Sequence, residues 1–347
     1  MSDEVRSGSH GSFIPIHDTE PHQHDDLQPP ADVEQLVQQI KETADKLIRD
    51  HAARGDVKLL STALRELRYS LKVLAAYKDH KKVTVFGSAR IKADHPSYHQ
   101  AVEFGRAMAK AGYMVITGAA QGIMEAGHIG AGRDLSIGIN IMLPFEQSAN
   151  SIIHGDHKLM HLKYFFTRKL LFVKEADAVV LFPGGFGTQD EGFEVLTLVQ
   201  TGKSHLFPIV MVDAPGGDYW KQWDQYIRKC LLDQGMISPA DTSLYKVTQS
   251  VDEAVHDVVN FTRVYHSMRY VNRELVLRLK KTLSEAMLAR IRAEFKDIVV
   301  KGSIEPTEML PQEANEPALV SLPRLRLWFD RRSLGRLRQM LDLINSD

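Results

Sequence analysis

A carboxylate, two cations and a glycine-rich bend lie close together in one stretch of this chain. Residues 176–199 read ADAVVLFPGGFGTQDEGFEVLTLV, with Glu191 shortly after Thr188 and the pair Arg168-Lys169 upstream. In Pro183-Gly184-Gly185-Phe186-Gly187-Thr188 the missing side chains let backbone amides approach a ligand closely. A helix that begins there turns its positive end to the same place, which suits a phosphate. Glu191 is then expected in the first helical turn, favoured by the helix dipole but beside a second negative charge. Without context, Glu191 reads equally as a surface helix acid, and the glycines as a tight strand-to-helix connection. Arg168 and Lys169 are flanked by Phe165, Phe166, Leu170, Leu171 and Phe172, so the segment is expected to be mostly buried. Cations in so apolar a stretch usually have an anionic partner, either Glu191 or a bound anion, and a guanidinium suits a planar anion. A solvated helical face is the alternative.

The elements that must position these groups alternate strand and helix. Ala178-Val179-Val180-Leu181-Phe182 is a short apolar run fit for a strand buried on both faces. Val83-Thr84-Val85-Phe86 leads into Gly87-Ser88-Ala89-Arg90 and a helix over about 97–111. Met114-Val115-Ile116-Thr117 leads into Gly118-Ala119-Ala120-Gln121-Gly122 and another helix. Residues 136–142 are a third strand, 207–212 a fifth, 220–232 its helix, and Val251, Val255, Val258 and Val259 mark a last helix. Such alternation predicts an α/β fold, a doubly wound, Rossmann-like parallel sheet with ligands at the carboxyl ends of its strands. Gly87-Ser88, the 118–122 turn and the 184–188 turn then face one edge. None is a dinucleotide fingerprint or a P-loop, which disfavours NAD and ATP. The connection 143–160, containing Pro144, Glu146 and Asn150, is a candidate lid or base-binding loop.

Flanking segments differ. Residues 1–30 are polar and aperiodic and are expected to be a disordered tail; His10, His17, His22 and His24 are more simply a solvated tail than a metal site. Over 31–80, Val33, Leu36, Val37, Ile40, Ala44, Leu47 and Ile48, then Leu60, Leu64, Leu67, Leu71 and Leu74, recur at helical spacing and predict a helical hairpin divided at Gly55-Asp56. The Rossmann-like domain is placed at 81–264. A module at 270–347 reads β-α-β-β-α, close to a split βαβ unit lacking its last strand. Its role is regulatory or oligomerising, and Arg324, Arg326, Arg331, Arg332, Arg336 and Arg338 would suit a polyphosphate such as a regulatory nucleotide, or simply a solubilising face.

Composition bounds the function. The chain has 347 residues, enough for one large or two modest domains, and 44% of them are hydrophobic, enough for a sizeable core. A net charge of −1 gives no bulk reason to expect nucleic acid or a membrane surface as partner. Cys230 is the single cysteine, so neither a disulfide framework nor a cysteine-rich metal site is expected. No apolar run approaches a membrane span and no signal-peptide core is present, so a cytoplasmic protein is expected.

Pro-Gly-Gly-x-Gly-Thr-x-x-Glu at 183–191, with Arg168-Lys169 inside Phe165-Phe166-Thr167-Arg168-Lys169, resembles the signature of the LOG family. These phosphoribohydrolases cleave nucleoside 5′-monophosphates and were long labelled lysine decarboxylases. The resemblance covers roughly residues 83–259. It implies hydrolysis of the N-glycosidic bond of a purine nucleoside 5′-monophosphate, AMP-like or a cytokinin riboside monophosphate, to free base and ribose 5-phosphate, with no metal or organic cofactor. Glu191 would meet the cation that forms on the sugar and activate water; Arg168 would bind substrate and keep Glu191 ionised. Gly184, Gly185, Gly187 and Thr188 would hold the phosphate, with Gly87, Ser88, Gly118 and Gly122 contributing from the other turns. Lys169 and Thr197 match family substrate-binding positions. Ala119 and Ala120 stand where the family often has glycine, and the family uses a carboxylate from the region that here contains Glu146. Family sites lie at a dimer interface, so a homodimer or larger homo-oligomer is expected. The flanking segments resemble the larger bacterial type, which favours purine-nucleotide breakdown. Lysine decarboxylation would need a pyridoxal-phosphate lysine with its ring-nitrogen partner, and none is legible. The alternative is a non-catalytic carrier on the same fold for a nucleotide or a molybdopterin-type cofactor; Arg168 and Glu191 together favour the enzyme.

Overall fold

A computed structural model describes residues 31–141, 149–313 and 316–347. The expectations for the tail 1–30 and its histidines, and for Glu146, lie outside the described residues. The chain divides into two compact units, 1–61 and 62–347. In the first, helix α1 (Ala31–Arg49) carries the expected repeat, but Leu36, Val37, Ile40 and Ile48 on it are exposed. Helix α2 (Arg54–Ala75) begins in the first unit and ends in the second. Gly55-Asp56 lies within its first turn rather than between the two helices, because Arg54 already adopts helical geometry.

The second unit is built on strands β1 (Lys81–Phe86), β2 (Tyr113–Thr117), β3 (Ser136–Ile141), β4 (Leu159–Leu162), β5 (Ala178–Leu181), β6 (Ile209–Val212) and β7 (Lys246–Thr248). They pair in the order β4-β3-β2-β1-β5-β6-β7, and every pairing is parallel. The connecting helices are α3 (Pro96–Lys110), α4 (Ile123–Ala131), α5 (Phe165–Lys174), α6 (Phe186–Gln200), α7 (Tyr219–Tyr226) and α8 (Val251–Asn260). Val83 and Val85 belong to one face of the sheet, Phe86 to the other, and all three are buried, as a strand covered on both sides requires. The order reverses between β1 and β5, and loops leaving a sheet at such a switch point part to leave a crevice.

Three strands were not anticipated. β4 begins at the end of the stretch read as a long connection, so the 207–212 run is the sixth strand. β7 is three residues long and lies at the sheet's edge. The third, β8 (Tyr265–Val271), opens a second sheet with β9 (Glu274–Leu279), β10 (Val299–Thr307) and β11 (Arg324–Phe329), ordered β10-β11-β9-β8 and antiparallel throughout. Helices α9 (Glu285–Glu294) and α10 (Leu334–Ser346) complete it. The expected split βαβ unit is present, and the edge position of its missing last strand is filled by β8, from upstream in the chain. Leu275, Leu277 and Leu327 of this sheet share one apolar cluster with Met114, Ile116 and Met211 of the larger one.

Candidate active site

Around the switch point the loops enclose a cavity of about 690 Å³ lined by Gly87, Ser88, Arg90, Gly118, Arg168, Gly184, Gly185, Gly187, Thr188 and Glu191, with Phe86, Met124, Asn140, Phe165, Phe172 and Tyr219 among the other walls. The structure thus gathers most of the residues singled out from the sequence. Lys169 stands just behind this wall, and Gly122 and Thr197 are elsewhere. Gly122 caps α4 at a φ of 65°, and a Cβ there would come within 2.3 Å of the Ser88 carbonyl oxygen; it fixes one turn against another. Thr197 is exposed, its hydroxyl donating to the Phe193 carbonyl at 2.7 Å.

The bend at 183–188 is held from both sides. The Ser88 amide donates to the Pro183 carbonyl at 3.1 Å and the Phe182 amide to that of Phe86 at 2.9 Å, tying the ends of β1 and β5 together. The Tyr219 hydroxyl donates to the Gly184 carbonyl and accepts from Gln189 Nε2 at 2.6 Å. Thr188 and Gln189 amides both donate to the Gly185 carbonyl at 3.1 Å. The amides of Phe186 and Gly187 make no backbone hydrogen bond among the described residues, as expected at a helix start. They are the open donors of the cradle.

Helix α6 starts at Phe186, within the glycine motif, so Glu191 lies in its second turn and not its first. Its buried side comprises Thr188, Glu191, Gly192, Val195 and Val199, whereas Phe193 is 40% exposed. Glu191 is 4% exposed. Burial pushes its carboxyl above the usual glutamate range; Lys169 and Arg168 pull it back, and Glu194 and Asp190 add to the rise. Arg168 Nη2 stands 3.8 Å from Glu191 Oε1, and Lys169 Nζ 3.4 Å from Oε2. Oε2 is buried and receives no well-formed hydrogen bond among the described residues. Lys169 Nζ also meets Asp190 at 2.8 Å and Glu194 at 2.6 Å. Burial works against its charge, but those carboxylates prevail and hold its pKa above the ordinary lysine value.

The α5 segment is less buried than its composition suggested. Phe165, Phe166 and Leu170 are about half exposed, and only Leu171 and Phe172 of that apolar set are buried. The Arg168 guanidinium nonetheless sits over the rings of Phe165 and Phe172, 5.0 and 5.5 Å from their centroids. Glu66 of α2 anchors the start of α5, accepting from the Lys163 amide and the Thr167 hydroxyl at 2.8 Å each.

A polar network supports the 118–122 turn. Ala119 has a φ of 59°, the left-handed region that disfavours a side chain, and its amide donates to Thr117 Oγ1 at 2.9 Å. The Asn150 amide donates to the Ala119 carbonyl at 2.8 Å and Asn150 Nδ2 to that of Ala120 at 3.0 Å. His128 is fully buried beneath, its Nε2 within 3.1 Å of Thr117 Oγ1 and 3.2 Å of the Ile137 carbonyl oxygen. Nδ1 lies 3.2 Å from Asn150 Nδ2, so a neutral ring with its proton on Nε2 satisfies these groups. Burial lowers the His128 pKa to about 4. Tyr219, His128 and Asn150 were not foreseen; only Asn150 was noted, as part of the connecting loop. Among the described residues no group of histidine, cysteine, aspartate and glutamate side chains is placed to hold a metal ion, and no helix is long and apolar enough to cross a membrane.

A parallel sheet with a glycine-walled crevice at its switch point and a buried carboxylate beside open amides defines a Rossmann-like α/β protein of the doubly wound class. A family model described as "Possible lysine decarboxylase" matches residues 116–258. Cytokinin riboside 5′-monophosphate phosphoribohydrolase of Rhodococcoides fascians is 29% identical over 178 residues, 50% of this chain and 87% of that protein. The enzyme of the same name from Mycobacterium tuberculosis is 30% identical over 161 residues, 45% of this chain and 81% of that one. Among solved structures, the molybdenum cofactor carrier protein of Chlamydomonas reinhardtii is 19% identical, covering 50% of this chain and 94% of its own at a TM-score of 0.34. The chain belongs to the LOG family, the family of these phosphoribohydrolases and of the lysine-decarboxylase label.

Proposed function

We propose that this protein hydrolyses the N-glycosidic bond of purine nucleoside 5′-monophosphates, AMP or a cytokinin riboside monophosphate, releasing the base and ribose 5-phosphate. The observation that carries the reading is the position of Glu191: a buried carboxylate on the wall of the cavity that also holds the open amides of Phe186 and Gly187. The 5′-phosphate seats on those amides and the Thr188 hydroxyl at the positive end of α6. The sugar then lies toward Glu191. As the C1′–N bond breaks, its electron pair leaves with the base and positive charge gathers on the ribose, where an ionised Glu191 stabilises it. A water adds to C1′; its proton passes to the unbonded Oε2 and on to the departing base. A pKa above the ordinary glutamate value makes the carboxylate a better base, while Arg168 and Lys169 pull against that rise and favour its ionised form. The half-exposed Phe165, Phe166 and Leu170 beside the cavity fit a homo-oligomer that covers them.

The test is release of adenine and ribose 5-phosphate from AMP by the purified full chain. Glu191→Gln and Arg168→Ala are expected to lower kcat/KM by about a hundredfold or more with an unchanged circular-dichroism spectrum. Wild-type turnover by Glu191→Gln overturns the mechanism, and tight AMP binding by the wild type without product makes the protein a carrier. A panel of monophosphates ranks adenine, guanine and prenylated adenine.

A further inference from the structure

The 87–90 turn carries a cation that the motifs leave unexplained. Ser88 and Arg90 line the same cavity as the 184–188 bend, and the turn is fastened there: the Ser88 amide donates to the Pro183 carbonyl, and the Arg90 amide to Ser88 Oγ at 3.1 Å. The Arg90 side chain is exposed and makes no ion pair or hydrogen bond among the described residues. Among the described residues the lining has two other fully charged side chains, Arg168 and Glu191, and these face each other at 3.8 Å. Lys169 is taken up by Asp190, Glu191 and Glu194. Apart from Arg90 the described lining is therefore close to neutral. A phosphate monoester brings a charge of about −1.5 to −2 at neutral pH. The helix end that would meet it supplies only about half a positive charge.

We propose that Arg90 closes over the 5′-phosphate as a charged partner of the backbone cradle, and so selects phosphorylated over unphosphorylated nucleosides. The assignment rests on the reading of the cavity given under Proposed function. The amides fix where the phosphate sits, and the guanidinium, on a turn bonded to the same bend, supplies the missing charge through paired N–H donors.

Binding of ribose 5-phosphate and of adenosine is measured by calorimetry on the full chain for the wild type, Arg90→Ala and Arg90→Lys. Arg90→Ala is expected to weaken ribose 5-phosphate about ten- to a hundredfold, as loss of a charge-assisted contact does, and to leave adenosine within twofold. Arg90→Lys recovers part of the loss, and raising salt weakens the wild type more than the alanine variant. In turnover of AMP the loss falls on KM rather than kcat. Because Arg90 is exposed, the substitution leaves the melting temperature unchanged. Ribose 5-phosphate affinity unaltered in Arg90→Ala overturns the proposal, as does an equal loss for adenosine or a wild type that binds no ribose 5-phosphate. Arg90-dependent ribose 5-phosphate binding in a wild type that releases no adenine upholds this assignment and defeats the hydrolase reading alone.

Discussion

Placing a single methyl group at each glycine of the 184–187 bend separates two roles that the motif combines. A Cβ on Gly184 would lie 2.1 Å from Thr188 Oγ1, 2.7 Å from Thr188 Cβ and 3.0 Å from the Ser88 amide nitrogen. Neither neighbour can yield easily. Thr188 is a buried, β-branched residue in the first turn of α6, and the Ser88 amide is bonded to Pro183. Gly184→Ala is thus an overpacking change costing about 1–3 kcal/mol. At about 2–4 °C per kcal/mol for a large domain, the melting temperature falls by about 2–12 °C. At Gly185 and Gly187 a Cβ meets nothing within 4 Å, and neither residue has a positive φ. Gly187→Ala lies within a helix, where alanine is favoured by up to about 1 kcal/mol, so stability is kept or gained. Both glycines line the cavity, however, where on the proposed reading a phosphate must come close to bare amides. The expected pattern is a lowered melting temperature for Gly184→Ala, and an unchanged or raised one for Gly185→Ala and Gly187→Ala with KM for AMP up by tenfold or more. Scanning calorimetry and AMP kinetics read the two columns separately. A wild-type melting temperature in Gly184→Ala refutes the packing argument; wild-type KM in both other variants refutes the cradle.

Three further outcomes follow from burial and charge. Activity that needs an ionised Glu191 falls on acidification with a midpoint above the ordinary glutamate value, and Lys169→Met moves that limb to higher pH in a kcat/KM profile, since Lys169 holds the carboxyl down. The same raised pKa means the folded state holds that proton more tightly than the unfolded one, so the group's contribution to stability declines as pH rises through the window. His128 has the opposite sign: with its pKa lowered from 6.5 to about 4, its stabilisation is complete above pH 6.5 and is lost as pH falls toward 4. Urea unfolding at pH 7.5 and 5 reads this as a loss of about 2 kcal/mol in the wild type that His128→Gln lacks. In the smaller sheet, fully buried Glu313 joins Arg278 Nε at 2.8 Å and Arg324 Nε at 3.0 Å. Glu313→Ala removes the buried carboxylate shared by two guanidiniums, leaving Arg278 only Glu316 and Arg324 only backbone carbonyls, and costs about 3 kcal/mol, whereas Glu316→Ala, whose carboxylate is 37% exposed, costs about 1 kcal/mol or less in the same denaturation assay.

What could be read in advance was local. Val83-Thr84-Val85-Phe86 and Ala178-Val179-Val180-Leu181 announce themselves because a strand buried on both faces is apolar at nearly every position. The strands that escaped notice, β4, β7 and β8, lie at sheet edges. There one flank faces solvent or loops, and a sequence such as Tyr-His-Ser-Met-Arg-Tyr-Val gives no clean alternation. The glycine bend was legible for the same local reason: its glycines, Thr188 and Glu191 stand within one short motif. Tyr219, His128 and Asn150 were not, because each acts on a turn far away in sequence, through bonds to Gly184, Thr117 and Ala120. The start of α6 was misplaced because Phe186-Gly187-Thr188 looks like loop, and its helical geometry comes from docking on β5 rather than from propensity.

That docking explains how a carboxylate comes to be buried at all. Gly192 lies on the inner side of α6, and a Cβ there would already press on Leu181 Cδ2 of β5 at 3.0 Å. The missing side chain brings the helix close to the sheet, and Glu191, the preceding residue, is carried into the cavity wall with it. The site's dimensions are therefore set by absent methyls: at Gly184, so that the bend closes on Thr188; at Gly192, so that the helix closes on β5; at Gly122, so that the second turn closes on Ser88. The cost falls on Glu191, which loses water, keeps one oxygen without a well-formed hydrogen bond among the described residues, and sits among Asp190 and Glu194 with a raised pKa. A protein selected for stability alone would gain by replacing that side chain with an apolar one. On the proposed reading the acid is retained, beside Arg168 and Lys169, to meet the positive charge that gathers on a ribose losing its base.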